Sequence, residues 1–315
     1  MGSGGKDESV SEFSVSTLCT PKNAIGWVTI SRMREKIKRY FFREPCGTIK
    51  HLIEGVKVGW SMVERVYCHP KYYEIAFSFR DLANEVETLD CLREQYLSTS
   101  SRRVLEIGCG SAPHLPEFHR KGYEYVGLDI SRDMLQFALE RAEALGARAE
   151  FVCASLTDFQ ISQPVDMGVV FLGSLYVVDT EELQRHFDCM RRAVRPGGLY
   201  ILDWCVDFVP ATDLCETWTE EKDGIRVRTT YHAASIDRAK QTYRETVTLE
   251  VEDGRLCFML QETGIKRAIY PQEFLFYLAL RGDFEFLGWW NAWDLGQPLG
   301  PSSSCYRPVV AIRRT

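Results

Sequence analysis

The sequence lacks any run of roughly 18 apolar residues, the length a helix needs to cross a bilayer, so no membrane-spanning helix is expected. It has no Cys-x-x-Cys pair among its 11 cysteines, which argues against a structural zinc site. Their odd number, and their placement in apolar runs such as Phe151-Val-Cys153 and Leu202-Asp-Trp-Cys205, point to free thiols in a reducing compartment. There is no excess of basic charge. Lys and Arg total 38 against 44 Asp and Glu, a net charge of −6. A general nucleic-acid binder is more often basic, so a small molecule is the better expected partner. No internal repeat is apparent, and Lys6 stands where a myristoylation signal carries Ser or Thr. A cytoplasmic protein is expected.

What is present is concentrated in one stretch, Val104-Leu-Glu-Ile-Gly-Cys-Gly-Ser-Ala-Pro-His-Leu115, with Asp129 following 19 residues after Gly110. An apolar run ends in an acid and opens into a Gly-x-Gly turn leading to a helix; a second apolar run then delivers a carboxylate. This is the layout of a βαβ nucleoside site, where glycines admit close backbone approach and the acid holds ribose hydroxyls. A dinucleotide site wants a third small residue where Pro113 stands, and Glu106 would repel a pyrophosphate. A zwitterionic sulfonium ligand meets neither objection.

Strand and helix alternate over 101–204. Strands are expected at Arg103–Ile107, Tyr125–Asp129, Glu150–Ala154, Met167–Leu172 and Leu199–Trp204, with helices from near Pro113, over Asp133–Leu145 and over Glu181–Val194. Residues 1–22 are polar and Gly/Ser-rich, hence expected to be disordered. Residues 23–100 are expected to form a helical cap, with a basic amphipathic helix around Arg32–Arg43, a segment over Val56–Tyr73 broken at Pro70, and a periodic helix over Glu85–Tyr96. Alternating, β-branched runs over 205–269 predict an antiparallel extension, turned at Asp253-Gly254. A helix from Tyr270 to Leu280 and the strands Phe284–Trp290 and Arg307–Ile312 fill 270–315. The expected fold is α/β: a Rossmann-like, doubly wound, seven-stranded sheet with an N-terminal helical cap and an antiparallel β-extension.

The Glu-x-Gly-x-Gly turn, the downstream Asp129 and the Pro196-Gly-Gly198 turn before the fifth strand resemble class I S-adenosylmethionine (SAM) methyltransferases. The flanks resemble the branch with sugar N-methyltransferases and glycine-type N-methyltransferases. The resemblance implies SAM as methyl donor and S-adenosylhomocysteine (SAH) as product. It places Glu106, Gly108 and Gly110 along the methionine part, Asp129 on the ribose, and Ile130, Met134 and Leu156 around the adenine. Ser155 stands where such enzymes usually carry an acid toward the adenine amino group, and Asp158 is expected beyond the strand end. Leu172, with the small residues Gly173 and Ser174, lets the backbone approach the methionine moiety. Tyr72 and Arg80 belong to an N-terminal segment folded over SAM, with Arg80 pairing its carboxylate.

Methyl transfer needs in-line approach of a lone pair; hydroxyl acceptors profit from a general base. Tyr73, Tyr176 and His232 are the candidate catalytic residues, with Asp203 a further candidate base. No metal-ligating constellation stands out. The absence of an Asn/Asp-Pro-Pro-Tyr/Phe turn after the fourth strand disfavours base-nitrogen and glutamine-amide acceptors. The expected activity is methylation of nitrogen or oxygen on a small metabolite. The alternatives are a protein or RNA methyltransferase docking its polymer on Arg32–Arg43, and a non-catalytic SAM-binding module. Oligomeric state is not legible from the sequence.

Overall fold

A computed structural model describes residues 64–98, 100–209, 213–300 and 305–315. The expectations for 1–22, for Arg32–Arg43 and for the first part of the Val56–Tyr73 segment lie outside the described residues.

The parallel strands form because their side chains are apolar on both faces. β1 (Arg103–Ile107) and β4 (Val165–Val170) are buried at every position, as a sheet covered on both sides requires. β2 (Glu124–Asp129), β3 (Ala149–Cys153) and β5 (Val194–Asp203) complete the parallel set, and β12 (Pro308–Arg314) and β10 (Phe284–Asn291) follow antiparallel. The order is β11-β10-β12-β5-β4-β1-β2-β3. The seven expected strands are therefore present, and β11 (Asp294–Pro298) adds an eighth at the antiparallel edge.

Helices cover both faces. α2 (Leu82–Tyr96), α3 (Leu115–Arg120) and α4 (Arg132–Leu145) pack on one side through Leu89, Leu92, Phe118, Leu135 and Ala138. α5 (Thr180–Ala193) and α6 (Pro271–Arg281) pack on the other through Phe187, Met190, Phe274 and Leu278. Sharp starts come from side-chain caps: Asp81 accepts from Asn84 N at 3.0 Å, Ser131 from Met134 N at 3.3 Å, and Asp179 from Glu182 N at 2.8 Å. Pro196-Gly-Gly198 is accommodated as an excursion inside β5, where the pairing with β4 jumps from Val194 to Leu199.

A second sheet, order β6-β7-β8-β9, is an antiparallel meander of β6 (Leu214–Lys222), β7 (Ile225–Asp237), β8 (Thr242–Asp253) and β9 (Leu256–Arg267). Its strands are longer than the alternating runs suggest, and β6 is additional. The described part of the N-terminal segment, residues 64–98, packs on both sheets. The helical turn Val66–Cys68 ends before Pro70, which opens α1 (Pro70–Ala76), where its missing N–H costs nothing. α1 and the short turn Val66–Cys68 bury Val66, Ile75 and Ala76 against Val227, Leu249 and Leu260 of the second sheet. Trp218 Nε1 donates to Ala76 O at 2.7 Å and fastens the segment to β6. α2 instead belongs to the main sheet. Among the described residues no helix is long and apolar enough to cross a membrane.

Candidate active site

β1 connects toward β2 and β3 on one side while β4 and β5 lie on the other, so the crevice beyond the C-terminal ends of β1 and β4 is the topological switch point where open α/β sheets bind ligands. A cavity of about 300 Å³ lies there. Its floor is the Gly108–Ser111 turn and the ends of β2 and β4, its roof is Tyr67, Tyr73 and Arg80, and its far wall comes from β8 and β9.

The floor is shaped by backbone that side chains rarely adopt. Gly108 and Gly110 have φ of +66° and +53°. A Cβ at Gly108 would stand 2.9 Å from Ser174 Cβ, so only glycine keeps this approach open. Leu172 is also left-handed, at φ 52°. Its N–H donates to Asp203 Oδ2 at 2.9 Å and the Gly173 N–H to Asp203 O at 2.9 Å, which holds the strained turn in place.

Asp129 ends β2 with Oδ1 accepting from Ser131 N and Oδ2 from Gly110 N, both at 2.8 Å. Burial pushes its carboxyl above the ordinary value despite these bonds. Each oxygen keeps lone-pair capacity for a further donor. Ile130 beside it lines the cavity although the residue is 75% exposed, an apolar surface that the described residues leave uncovered.

Glu106 is held rather than free. His114 Nδ1 donates to Oε1 at 2.9 Å and Tyr125 OH to Oε2 at 2.8 Å. His114 Nε2 meets Glu85 Oε2 at 2.9 Å, and the imidazole stacks on Phe171 with centroids 3.7 Å apart. Arg80 pairs with Glu85, and Arg307 bridges Glu85 Oε1 at 2.9 Å to Asp203 Oδ1 at 2.8 Å. The cluster thus sets Arg80, Arg307 and His114 against Glu85, Glu106 and Asp203, and its charges cancel when His114 is protonated. Burial pushes the Glu85 carboxyl up, but Arg307, Arg80 and His114 outweigh it and hold it well below the carboxylate range. For His114 burial acts downward; Glu106 and Glu85 outweigh it, with Arg80 opposing them, and the imidazole is raised above its ordinary value. A raised folded-state value means that its contribution to stability is full below pH 6.5, the ordinary histidine value, and is lost as pH rises through the folded one. The urea midpoint is expected to fall over that alkaline window more in the wild-type chain than in His114→Gln; parallel profiles would refute the ionised pairing.

On the far wall Glu245 accepts from Tyr176 OH at 2.8 Å and from Tyr231 OH, and pairs with Lys266 Nζ at 3.0 Å. Lys266 also donates to Gly173 O at 3.2 Å. Burial alone would lower the Lys266 ammonium, yet Glu245 and the surrounding tyrosines keep it well above its ordinary value. Gly264 lies under the Tyr176 ring, where a Cβ would meet Cε1 at 2.6 Å.

Of the residues singled out from sequence, Tyr73, Arg80, Glu106, Gly108, Gly110, Asp129, Ile130, Met134, Ser155, Leu156, Leu172 and Tyr176 line this one cavity. Four others do not. Tyr72 is turned away from Tyr73 by the helical rotation and donates to Asp253 Oδ2 at 3.0 Å. His232 is exposed, because strand alternation puts Tyr231, not His232, on the face toward Glu245. Gly173 packs behind the wall, where a Cβ would meet Trp204 O at 2.8 Å. Asp203 is fully buried and engaged by Arg307 and Leu172, so it is no free base. Burial raises the Tyr73 phenol to about 12 and the Tyr176 phenol well above its ordinary value, so both are neutral hydrogen-bonding groups at neutral pH. Ser155 Oγ faces Thr157, at 2.9 Å from its hydroxyl and accepting from its N–H, and Asp158 is exposed outside the cavity lining. Glu245 and Glu262 are lining residues that the motifs do not reveal. Their signal is a carboxylate on the inward face of an alternating strand, in line with Tyr243 and Leu249 for one and Leu260 for the other.

Residues 104–198 match the family profile described as a methyltransferase domain. Among curated proteins the chain is similar to dTDP-3-amino-3,4,6-trideoxy-alpha-D-glucopyranose N,N-dimethyltransferase of Streptomyces venezuelae, with 27% identity over 43% of this chain and 56% of that protein. The aligned stretches span about half the length of the first curated relatives, 45% and 56%. Among solved structures, a SAM-dependent methyltransferase from Clostridium acetobutylicum superposes with a TM-score of 0.63 at 16% identity, covering 77% of this chain and 96% of that one. DesVI of Streptomyces venezuelae gives a TM-score of 0.63 at 19% identity, covering 78% and 98%. At these identities the superpositions establish the fold. Residues 104–198 are thus a methyltransferase domain, set in a chain with the Rossmann-like fold of SAM-dependent methyltransferases.

Proposed function

We propose that this protein is a SAM-dependent methyltransferase acting on nitrogen or oxygen of a small molecule. The observation that carries the reading is the continuity of one cavity from Ile130, at the end of β2, to Glu262 on β9. Such a cavity accepts donor and acceptor side by side.

The residues fit the donor. Asp129 offers two partly used oxygens to the ribose diol, and Ile130, Met134 and Leu156 supply apolar walls for the adenine. Arg80 has Nε and Nη2 on Glu85, which leaves Nη1 for the amino-acid carboxylate. SAM, when bound there, supplies an electrophilic methyl group on a sulfonium. The chain's contribution is then orientation and exclusion of water: Leu172 and Ser174 bring backbone close, while Tyr73 and Tyr176 flank the space between donor floor and far wall. The relative named as an amino-sugar N,N-dimethyltransferase supports a small polar acceptor. Nothing in the described residues favours a polymer, since the basic stretch Arg32–Arg43 lies outside them.

Calorimetry with SAM and SAH tests the donor half; no binding by either sinks the proposal. Asp129→Ala is expected to weaken SAH by about 1.5–3 kcal/mol, on the order of 10–100-fold, as for hydrogen bonds to a charged group. A screen of labelled methyl transfer to amines, sugars and phenols separates the enzyme from a binding module, for which SAH binds and no acceptor is labelled.

A further inference from the structure

The far wall holds one polar atom that the described residues do not satisfy. Glu262 Oε1 accepts from Arg65 Nε at 3.2 Å and Nη2 at 2.9 Å. Glu262 Oε2 is buried and has no partner among the described residues. The side chain is only 13% exposed and lines the cavity, whereas that of Arg65 is 71% exposed and sits on the solvent side. Its neighbour Glu245 makes the contrast: both oxygens there already receive donors from Lys266, Tyr231 and Tyr176. A buried carboxylate oxygen left without a donor costs about 1–3 kcal/mol or more, so such an atom calls for a ligand group.

The charge around it narrows the group. Among the described lining residues the carboxylates are Glu106, Asp129, Glu245 and Glu262, while the arginines and lysines number one, Arg80, already paired with Glu85. Tyr67 and Tyr73 stand edge to face beside this region with centroids 5.8 Å apart, and Val247 adds an apolar contact. Burial pushes the Tyr67 phenol far up, and Tyr73 and the Glu262 charge add to it. A neutral hydroxyl would satisfy the oxygen but leave the charge to the solvent-exposed Arg65 alone. An ammonium satisfies both, and aromatic rings favour a cation at their faces.

We propose that Glu262 selects the acceptor: its free Oε2 receives an N–H of a small amine that binds in its ammonium form and gives that proton to the carboxylate, leaving the nitrogen lone pair that methyl transfer requires, with the carbon skeleton resting on Tyr67, Tyr73 and Val247. This rests on the methyltransferase reading and narrows its acceptor to amines.

The test uses the full chain saturated with SAH and titrated by calorimetry with a shape-matched pair, cyclohexylamine and cyclohexanol, at neutral pH. The amine is expected to bind at least about tenfold more tightly than the alcohol, as for a hydrogen bond between charged groups. Glu262→Gln is expected to erase that preference while leaving SAH affinity within about twofold, which also shows that the variant is folded. Equal binding of the two probes, binding of neither, or an undiminished preference in E262Q overturns the proposal and leaves the methyltransferase reading standing. Failure of the wild-type chain to bind SAH removes that reading and the Glu262 assignment with it.

Discussion

Arg307→Met is expected to destabilise the protein by about 3–5 kcal/mol, the range for removing one partner of a buried ion pair. The two carboxylates it serves have almost no access to water: Asp203 is fully buried and Glu85 is 2% exposed. Arg307 reaches Asp203 through Nε at 2.8 Å and Nη2 at 2.5 Å, and Glu85 through Nη1 at 2.9 Å. Methionine fills the volume but leaves Asp203 without its cation and Glu85 with Arg80 and His114 alone. Arg307→Lys should rescue only part, because a single ammonium cannot reproduce a planar fork that serves two carboxylates at once. Equilibrium urea unfolding checks this, and a loss under about 1 kcal/mol would mean that the acids find other partners or water. The damage should also reach the site, since Asp203 fixes the Leu172 and Gly173 amides. SAH affinity is therefore expected to fall along with stability.

The second large effect is expected at Gly108. Gly108→Ala forces an L side chain to φ +66° and places its Cβ 2.9 Å from Ser174 Cβ. Left-handed backbone in a non-glycine residue costs about 1–2 kcal/mol by itself. The contact adds strain and closes the crevice where the donor would lie. SAH binding is expected to weaken by about 1–3 kcal/mol, roughly 5–150-fold. Gly122→Ala supplies the control. It has φ +75° but nothing within 4 Å of the added Cβ, so it should cost stability without touching affinity. If Gly108→Ala and Gly122→Ala behave alike, backbone strain alone is at work. Ser174→Gly in the Gly108→Ala background should restore part of the binding if the collision matters.

The parallel core was legible because its signals are local. Met167–Val170 is apolar throughout and Val104–Ile107 is apolar except for Glu106, as doubly covered strands require, and glycines and caps mark their ends. The donor floor was legible for the same reason, since Glu106, Gly108, Gly110 and Asp129 lie within one βαβ unit. β6 was missed although Asp223-Gly224, both at positive φ, form the same kind of two-residue hairpin turn as a sequence pair can announce. An isolated imidazole singles out His232 in the sequence, whereas strand register turns Tyr231, not His232, toward Glu245. The ion cluster was illegible for another reason. Glu85 and Arg307 are 222 residues apart, and no local pattern links them. Lys266 and Gly173, 93 residues apart, are likewise joined only in the folded chain.

The way the second sheet supplies the far wall has a consequence for how this protein can diversify. The donor floor is written in residues 106–134, 154–156 and 171–174, while Glu245, Val247, Glu262, Thr263 and Gly264 lie on a single hairpin, β8–β9. Mutations in that hairpin can remodel the choice of acceptor without rewriting the turn that would hold SAM. Lys266 and Arg267 limit this freedom, because they tether the hairpin to Gly173 and Val177 of the loop that follows β4. New substrates should therefore arise by exchange of side chains between those tethers and the Asp253-Gly254 tip, not by change of the nucleoside motif.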